Sequence, residues 1–487
     1  MTQTQTIAEQ LAERIVAFDE KLITPKARER ALIGIVDTVA VMLAGARTPC
    51  VATLRQVPGI ADAPGPCTLV AQTDKVSMLD AALVNGTAAH ALDYDDFSSV
   101  FGGHQSAPLV PALFALAEAE RSAGKDVVTA YAAGVETEIR LARAVHFHHY
   151  DKGWHPTATL GTIGAAAATS KLLGLSAEKT AIALALAVSQ AAGVKANFGT
   201  MTKPFHVGMC ARAGLLSTLL AREGFTANPG AFEHPQGFFE VFNGPGTYDA
   251  DRLFANWADP LELEDEGIAV KSYPCCGSTH AAIKAALCLR ESTSLKPAEI
   301  ASVEVLPHGR RLKHTDTPHP RTELQAKFSV QYVVARALLD GAVKLEHFEE
   351  AAISEPAVTD LLSRMAAKAH PDMADSADSQ WAAEVVVHTT DGRRLAHRID
   401  NLMADGGAIP KSVSGMWEKF MDCAEAAQLP ADMGGAVFER LETLESARDM
   451  SQVLRLMKGA PARPAADRTS AGSYVVGDPA PETQWVP

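Results

Sequence analysis

Aromatic side chains are scarce in this chain, at 6% of its 487 residues, and alanine supplies much of the 47% that is hydrophobic. That balance favours closely packed helices over β-sandwiches. No apolar run approaches the roughly 18 to 20 residues that cross a bilayer. The longest, residues 181–188, passes into Ser189 and Gln190. The opening MTQTQTIAEQLAERIVAFDE has no basic start followed by an apolar block, so it reads as a helix rather than a signal peptide, and a soluble, cytoplasmic protein is expected. Basic runs are missing as well: 44 Lys and Arg stand against 58 Asp and Glu, a net charge of −14, which argues against nucleic acid as a partner. The seven cysteines are odd in number and include no C-x-x-C, so neither a disulfide framework nor a zinc ribbon is indicated, and the thiols are expected to be reduced. There is no G-x-G-x-x-G after a strand, no Walker A and no G-x-S-x-G elbow, so neither a nucleotide cofactor nor a serine nucleophile has a visible seat.

What is present is a long helical stretch. From Thr24-Pro25, the residues Leu32, Ile33, Ile35, Val36, Val39, Met42 and Leu43 recur with helical period up to Gly45. Residues 76–92, 108–122, 126–145, 157–173 and 207–223 repeat the pattern, and Ser176 with Glu178 launches another helix after Gly174. Near residue 265 the character changes. GIAVKSYPCCG and ASVEVLPHG read as short strands, and AAEVVVHTTDGRRLAHRID reads as a hairpin around Asp391-Gly392. Helices are expected at 278–291, 327–340 and 356–369. The organisation predicted is mainly α: a large all-helical domain formed by 1–264 and 400–458, a smaller α+β lid domain over 265–399, and a mobile tail over 459–487.

Four strings carry ionisable groups. HALDYDDFSSVFGGHQSAP places Asp93, Asp95 and Asp96 after a helix and leads through Gly-Gly to His104; acids at a helix C-terminus oppose the helix dipole, so something else must favour them. HFHHYDKGWHPTATLG holds four histidines, but without the spacing of a zinc motif, and no metal is expected there. His155, between Trp154 and Pro156, sits in a rigid loop, with Thr157 available to cap the next helix. GTMTKPFHVGMCARAG brings Lys203 to a helix start, where a bound carboxylate would relieve the clash of like charges. AVKSYPCCGSTH ends a strand with Lys271. Read from the residues alone, each remains open: solvated acids, a satisfied histidine and a surface lysine are the plain alternatives, against proton transfer beside a carboxylate.

Taken together, ALDYDD, HQSAP, GWHPTATLGTIGAA, TKPFHVG and YPCCGSTH, in this order over residues 5–455, resemble the MmgE/PrpD family. The resemblance implies a cofactor-free enzyme with an all-helical domain and an α+β lid, usually a homodimer, in a family that includes 2-methylcitrate dehydratase, cis-aconitate decarboxylase and iminodisuccinate epimerase. It points to Asp93, His104, His155, Lys203 and Lys271 as the polar lining of a pocket between the domains. Phe97, with Ser98 and Ser99, stands where the animal decarboxylase motif has a Thr. GWHPTAT and YPCCGSTH resemble the epimerase strings.

The reading that follows is a lyase, a dehydratase or decarboxylase, acting on a small di- or tricarboxylic acid. His104 and His155 are assigned acid/base roles, Asp93 tunes one of them, and Lys203 and Lys271 hold carboxylates. An epimerase of an amino- or imino-dicarboxylate would use the same residues, and a carboxylate-binding protein without turnover is the non-enzymatic alternative. With a net charge of −14, an anionic substrate requires a locally positive pocket.

Overall fold

The computed structural model describes residues 5–265, 268–373, 381–403 and 410–459. The stretch after Gly459, expected to be a mobile tail, falls outside them.

Nine helices precede the first chain crossing: α1 (Ile7–Ala17), α2 (Pro25–Gly45), α3 (Pro49–Arg55), α4 (Met78–His90), α5 (Ser106–Glu120), α6 (Gly124–Asp151), α7 (Pro156–Leu172), α8 (Ala177–Gln190) and α9 (Thr202–Arg222). Their starts follow from local chemistry. Thr6, Thr24, Ser77 and Ser176 each accept a hydrogen bond from a first-turn N–H, and Thr6 completes a capping box with Glu9. Helix α9 begins five residues earlier than its pattern suggests, with Pro204 in the first turn, where a missing N–H is tolerated. Lys203 therefore sits on the helix and not before it.

Helices α4, α5, α7 and α9 pack on one another with small residues at the crossings. At Gly208 of α9, a Cβ would lie 2.2 Å from Thr87 Oγ1 and 2.3 Å from Leu83 O. Only glycine allows α4 and α9 to approach this closely. Among the described residues no single helix is long and apolar enough to cross a membrane; α2 and α3, bent by 74°, pass the length and composition test only as a pair, and the apolar residues of α2 lie in the core.

Two hydrophobic cores form. The first runs from Ala8 through Val270 and resumes at Val413, and the second runs from Cys275 to Ile399. The second is built on a four-stranded sheet in the order β6 (Met365–Ala367), β5 (Ile300–Pro307), β7 (Ala383–Thr389), β8 (Arg394–Ile399), preceded in the chain by β1 (Pro64–Thr68), β2 (Lys75–Val76), β3 (Phe97–Ser98) and β4 (Ile268–Ala269). β5 pairs parallel with β6 and antiparallel with β7, and β7–β8 is the hairpin expected at Asp391-Gly392. Val303 and Val305 face Val387 and Val385 across the ladder and turn inward against α10 (His280–Thr293) and α13 (Val330–Asp340). The last helices, α16 (Trp417–Ala426), α17 (Ala431–Glu442) and α18 (Met450–Leu456), return to the first core.

Two elements differ from the sequence pattern. The expected helix over 356–369 stops at Leu362, and Met365–Ala367 pairs with β5, because a free edge beside β5 outweighs the helical propensity of an Ala-rich run. The expected strand in GIAVKSYPCCG shrinks to Ile268–Ala269, paired with Phe97–Ser98. That short ladder stitches the crossing segment to the loop after α4. It thereby brings Lys271 to Asp93.

Candidate active site

Helix α4 ends at His90, and the chain then turns through Asp93, whose φ is +52°. Aspartate accepts this left-handed conformation more readily than most residues, yet a buried one there is held by its surroundings. Those surroundings are cationic. Lys203 Nζ donates to Asp93 Oδ1 at 2.5 Å, and Lys271 Nζ lies 3.1 Å from the same oxygen while donating to the Asp93 carbonyl at 2.7 Å. Burial alone would raise the Asp93 carboxyl, but the two ammoniums outweigh it and hold it well below the usual carboxylate range. In return, the burial that would lower Lys271 is outweighed by Asp93 and Asp95, and its ammonium is held above the usual lysine value.

His104 closes the group. Its Nδ1 lies 3.0 Å from Asp95 Oδ2 and 2.9 Å from the Asp96 carbonyl, and its Nε2 lies 3.7 Å from Asp93 Oδ1. A carbonyl and a carboxylate only accept, so Nδ1 carries the proton and Nε2 presents its lone pair toward the cavity. Asp95 also accepts from His90 Nδ1 at 2.8 Å. Burial drives the His90 imidazole down to about 4, so it is a neutral donor wedged 4.4 Å from the His104 ring. The Asp95 carboxyl, which burial would raise, is held well below its usual value by His104 and His90.

His155 enters from the start of α7, its ring 6.0 Å from that of His90 and 4.9 Å from that of Phe198. Its Nδ1 meets His206 Nδ1 at 3.3 Å. Two ring nitrogens that close share one proton, one donating and the other accepting. Burial is the first cause, and His90 and Lys203 add to it, in holding His155 well below the usual histidine value.

Behind these groups lies a buried acid network. Lys419 Nζ, from α16, pairs with Asp37 at 2.6 Å and donates to the carbonyls of Tyr94 and Lys271, both at 2.8 Å, which fixes the two segments that carry Asp93 and Lys271. The Asp96 backbone N–H donates to Asp37, and Gln105 and Ser106 donate to the Asp96 carboxyl. Burial, reinforced by Asp37, holds Asp96 well above its usual value.

Asp93, His104, His155, Lys203 and Lys271 line a cavity of about 680 Å³ between the two cores. The helical wall contributes Asp93, His104, His155 and Lys203, and the lid wall contributes Cys276, Arg311 and His314. Arg311 lies on the Trp381 ring, 3.9 Å from its centroid, and Trp381 lies 5.4 Å from Phe97, so an aromatic stack links the walls. His90, Asp93, Asp95 and His104 offer one donor atom each within 4.8 Å of one another, a spacing a metal ion uses. Two ammoniums within 3.1 Å of Asp93 already supply the positive charge such an ion would bring.

All five residues singled out in the sequence therefore meet in this cavity. Thr157 does not cap α7; its hydroxyl accepts the His104 backbone N–H at 3.0 Å and so positions the loop. His149 is absorbed by Asn243 and Thr159, and His146 by Arg252, so the histidine-rich string forms no cluster. Beside Asp93, which lies 3.7 Å from His104 Nε2, the structure adds His90 and Asp95 to the group. His90 was visible as the first letter of HALDYDD, but its link to Asp95 depends on the left-handed turn at Asp93.

A helical part and a smaller α+β part, with a buried lysine–carboxylate–histidine group lining the cavity between them, have the arrangement of an enzyme. Residues 9–251 match the MmgE/PrpD N-terminal domain and residues 273–437 the MmgE/PrpD C-terminal domain. The chain belongs to the MmgE/PrpD family and is an enzyme of its lyase type. It is similar to cis-aconitate decarboxylase of Mus musculus, 32% identical over 407 residues that cover 81% of each chain. The Homo sapiens cis-aconitate decarboxylase is 30% identical over 465 residues, covering 93% of this chain and 95% of that one. That of Aspergillus terreus is 28% identical over 404 residues, covering 76% and 80%.

Proposed function

We propose that the protein decarboxylates a small unsaturated tricarboxylic acid of the cis-aconitate type, without a cofactor, by proton transfer at a carbon beside a carboxylate. The observation that carries this reading is the charge of the cavity: among the described residues, Lys195, Lys203, Lys271, Arg310, Arg311 and Lys313 line it against the carboxylates of Asp93 and Asp151. A chain of net charge −14 thus keeps a local cationic site, which suits a polyanion and nothing neutral. Because Asp93 consumes much of the charge of Lys203 and Lys271, the lid-side cations supply the remainder. In this reading loss of CO2 leaves an electron pair on the carbon skeleton, the cations stabilise it, and His104 Nε2 and His155 serve the proton steps.

Epimerisation is the second reading, favoured by one observation: ionisable side chains line both walls, as removal and return of a proton on opposite faces require. A homodimer is the assembly we propose, supported by the exposed Met201 at the cap of α9 and Phe205 and Met209 on it, spaced four residues apart, and tested by light scattering for the mass of two chains.

The test of function is incubation with cis-aconitate, citrate, methylcitrate and iminodisuccinate in D2O, followed by NMR. Consumption of cis-aconitate with CO2 release and one deuterium in the product is expected. Deuterium exchange into iminodisuccinate without net loss of mass would replace this reading with the epimerase.

A further inference from the structure

The lid wall carries a thiol–imidazole pair that the steps above leave unused. Cys276 ends the segment crossing between the cores, immediately before the turn Gly277–Thr279 that leads into α10, and its buried side chain lines the cavity. His314 lines the same cavity wall, its Nε2 2.9 Å from Ser278 Oγ, and the imidazole draws the Cys276 thiol down. His314 is exposed on its outer side and so connects the pair to solvent.

The other buried thiols of this chain contrast with it. Burial pushes those of Cys67, Cys275 and Cys423 up to about 12. At Cys276 the same penalty is outweighed by His314, and the thiol is drawn below its usual value. Placement matters more than acidity here. His104 and His155 come from the helical part, whereas Cys276 and His314 come from the α+β part, so proton-transfer groups of both border the cavity. Reaction at a carbon beside a carboxylate leaves a carbanion-like centre, and the group that protonates it from the far side decides the configuration of the product.

We propose that Cys276, paired with His314, is a catalytic residue that exchanges a proton with the reacting carbon from the lid face. This rests on the reading of the cavity as a site of proton transfer in a carboxylic acid. In decarboxylation the bond to the departing carboxylate breaks and CO2 leaves. Its electron pair, delocalised over the unsaturated skeleton, takes the proton as the S–H bond of Cys276 breaks. The thiolate is then reprotonated through His314 from water. In epimerisation the helical-wall base removes a proton and Cys276 delivers another to the opposite face. No oxidant or reductant is needed in either case.

The test has two arms. In the first, wild type, Cys276→Ala, Cys276→Ser and His314→Gln are assayed with cis-aconitate in D2O, with thermal unfolding to confirm that each folds. Cys276→Ala is expected to lose at least about 100-fold in turnover, as for a general acid, with KM within about threefold; His314→Gln is expected to lose about tenfold or more. In the second, iodoacetamide labelling is followed by mass spectrometry: Cys276 is expected to react faster than the half-buried Cys288 and to be protected by the non-reactive tricarboxylate tricarballylate. Cys276→Ala turning over within threefold of wild type, with deuterium at the same carbon and in the same configuration, overturns the proposal while leaving the proposed function intact. Labelling no faster than at Cys288 and unprotected overturns it independently of turnover. A wild type inert toward every acid, by contrast, removes the proposed function and this role with it.

Discussion

Asp95 Oδ2 lies 3.0 Å from Nδ1 of His104, and the same carboxylate accepts a hydrogen bond from Nδ1 of His90 at 2.8 Å. One buried acid therefore fixes the tautomer of two imidazoles and aims the Nε2 of His104 at the cavity. Replacing Asp95 with Asn removes the charge and lets an amide N–H face Nδ1, which favours the wrong tautomer. Turnover of Asp95→Asn should fall by about 100-fold to 10,000-fold, while KM stays within a few fold. Steady-state kinetics on the folded variant checks this; an unchanged turnover would mean that Asp95 only holds the loop.

Asp93 has two ammoniums on one oxygen, so the three charges should behave as a unit. Lys271→Met leaves a buried carboxylate with one cation, and removing a partner from a buried pair costs about 3–5 kcal/mol. Asp93→Asn combined with Lys271→Met should cost clearly less than the sum of the two single variants. Urea unfolding of the four proteins in the cycle gives the coupling. Strict additivity would show that the two side chains are independent despite their 3.1 Å separation.

Glu138, on α6, has both carboxyl oxygens buried and, among the described residues, without a hydrogen-bond partner, and burial, with a smaller contribution from Asp96, holds it well above its usual value. A carboxyl whose folded value is raised loses stability as pH rises from its unfolded value, about 4.3, through the folded one. Glutamine does not titrate. Glu138→Gln should therefore match wild type near pH 4 to 5 and become progressively the more stable protein as pH rises. Melting temperatures of both at pH 5, 7 and 9 give the comparison, and a constant difference would show that Glu138 does not titrate in this range.

At Gly208 a methyl group has no room, since its position is 2.2 Å from Thr87 Oγ1 and 2.3 Å from a backbone oxygen. Gly208→Ala should separate α4 from α9 and destabilise the protein by about 1–3 kcal/mol. Because α4 leads into the Asp93 turn and α9 carries Lys203, activity should fall further than loss of folded protein explains. Turnover corrected for the folded fraction, at a temperature where the variant is fully folded, makes the distinction.

Much of this was legible beforehand, and for a physical reason. The helical period of 25–45, the small residues of α7 and α9 and the hairpin at Asp391-Gly392 are local signals, and the structure repeats them. The five polar residues were found through short strings of ionisable residues and glycine, which record what a site is made of. Such strings do not record direction. Which carboxylate meets His104 depends on the positive φ of Asp93, and no composition indicates it. The meeting of Cys276 with His314, 38 positions apart in sequence, and of Lys419 with the Tyr94 and Lys271 carbonyls is set by packing of separate elements. β6 was read as helix because propensity is local and the vacant edge of β5 is not.

If the Asp93–His104 group performs chemistry on a polycarboxylate, His104 should carry most of the rate. The initial rate of CO2 release from cis-aconitate is compared for wild type and His104→Gln, with both shown to be folded and to bind tricarballylate. Measurable release by wild type and a loss of about 100-fold to 10,000-fold in the variant are expected. Release by His104→Gln at the wild-type rate would remove His104 from the chemistry.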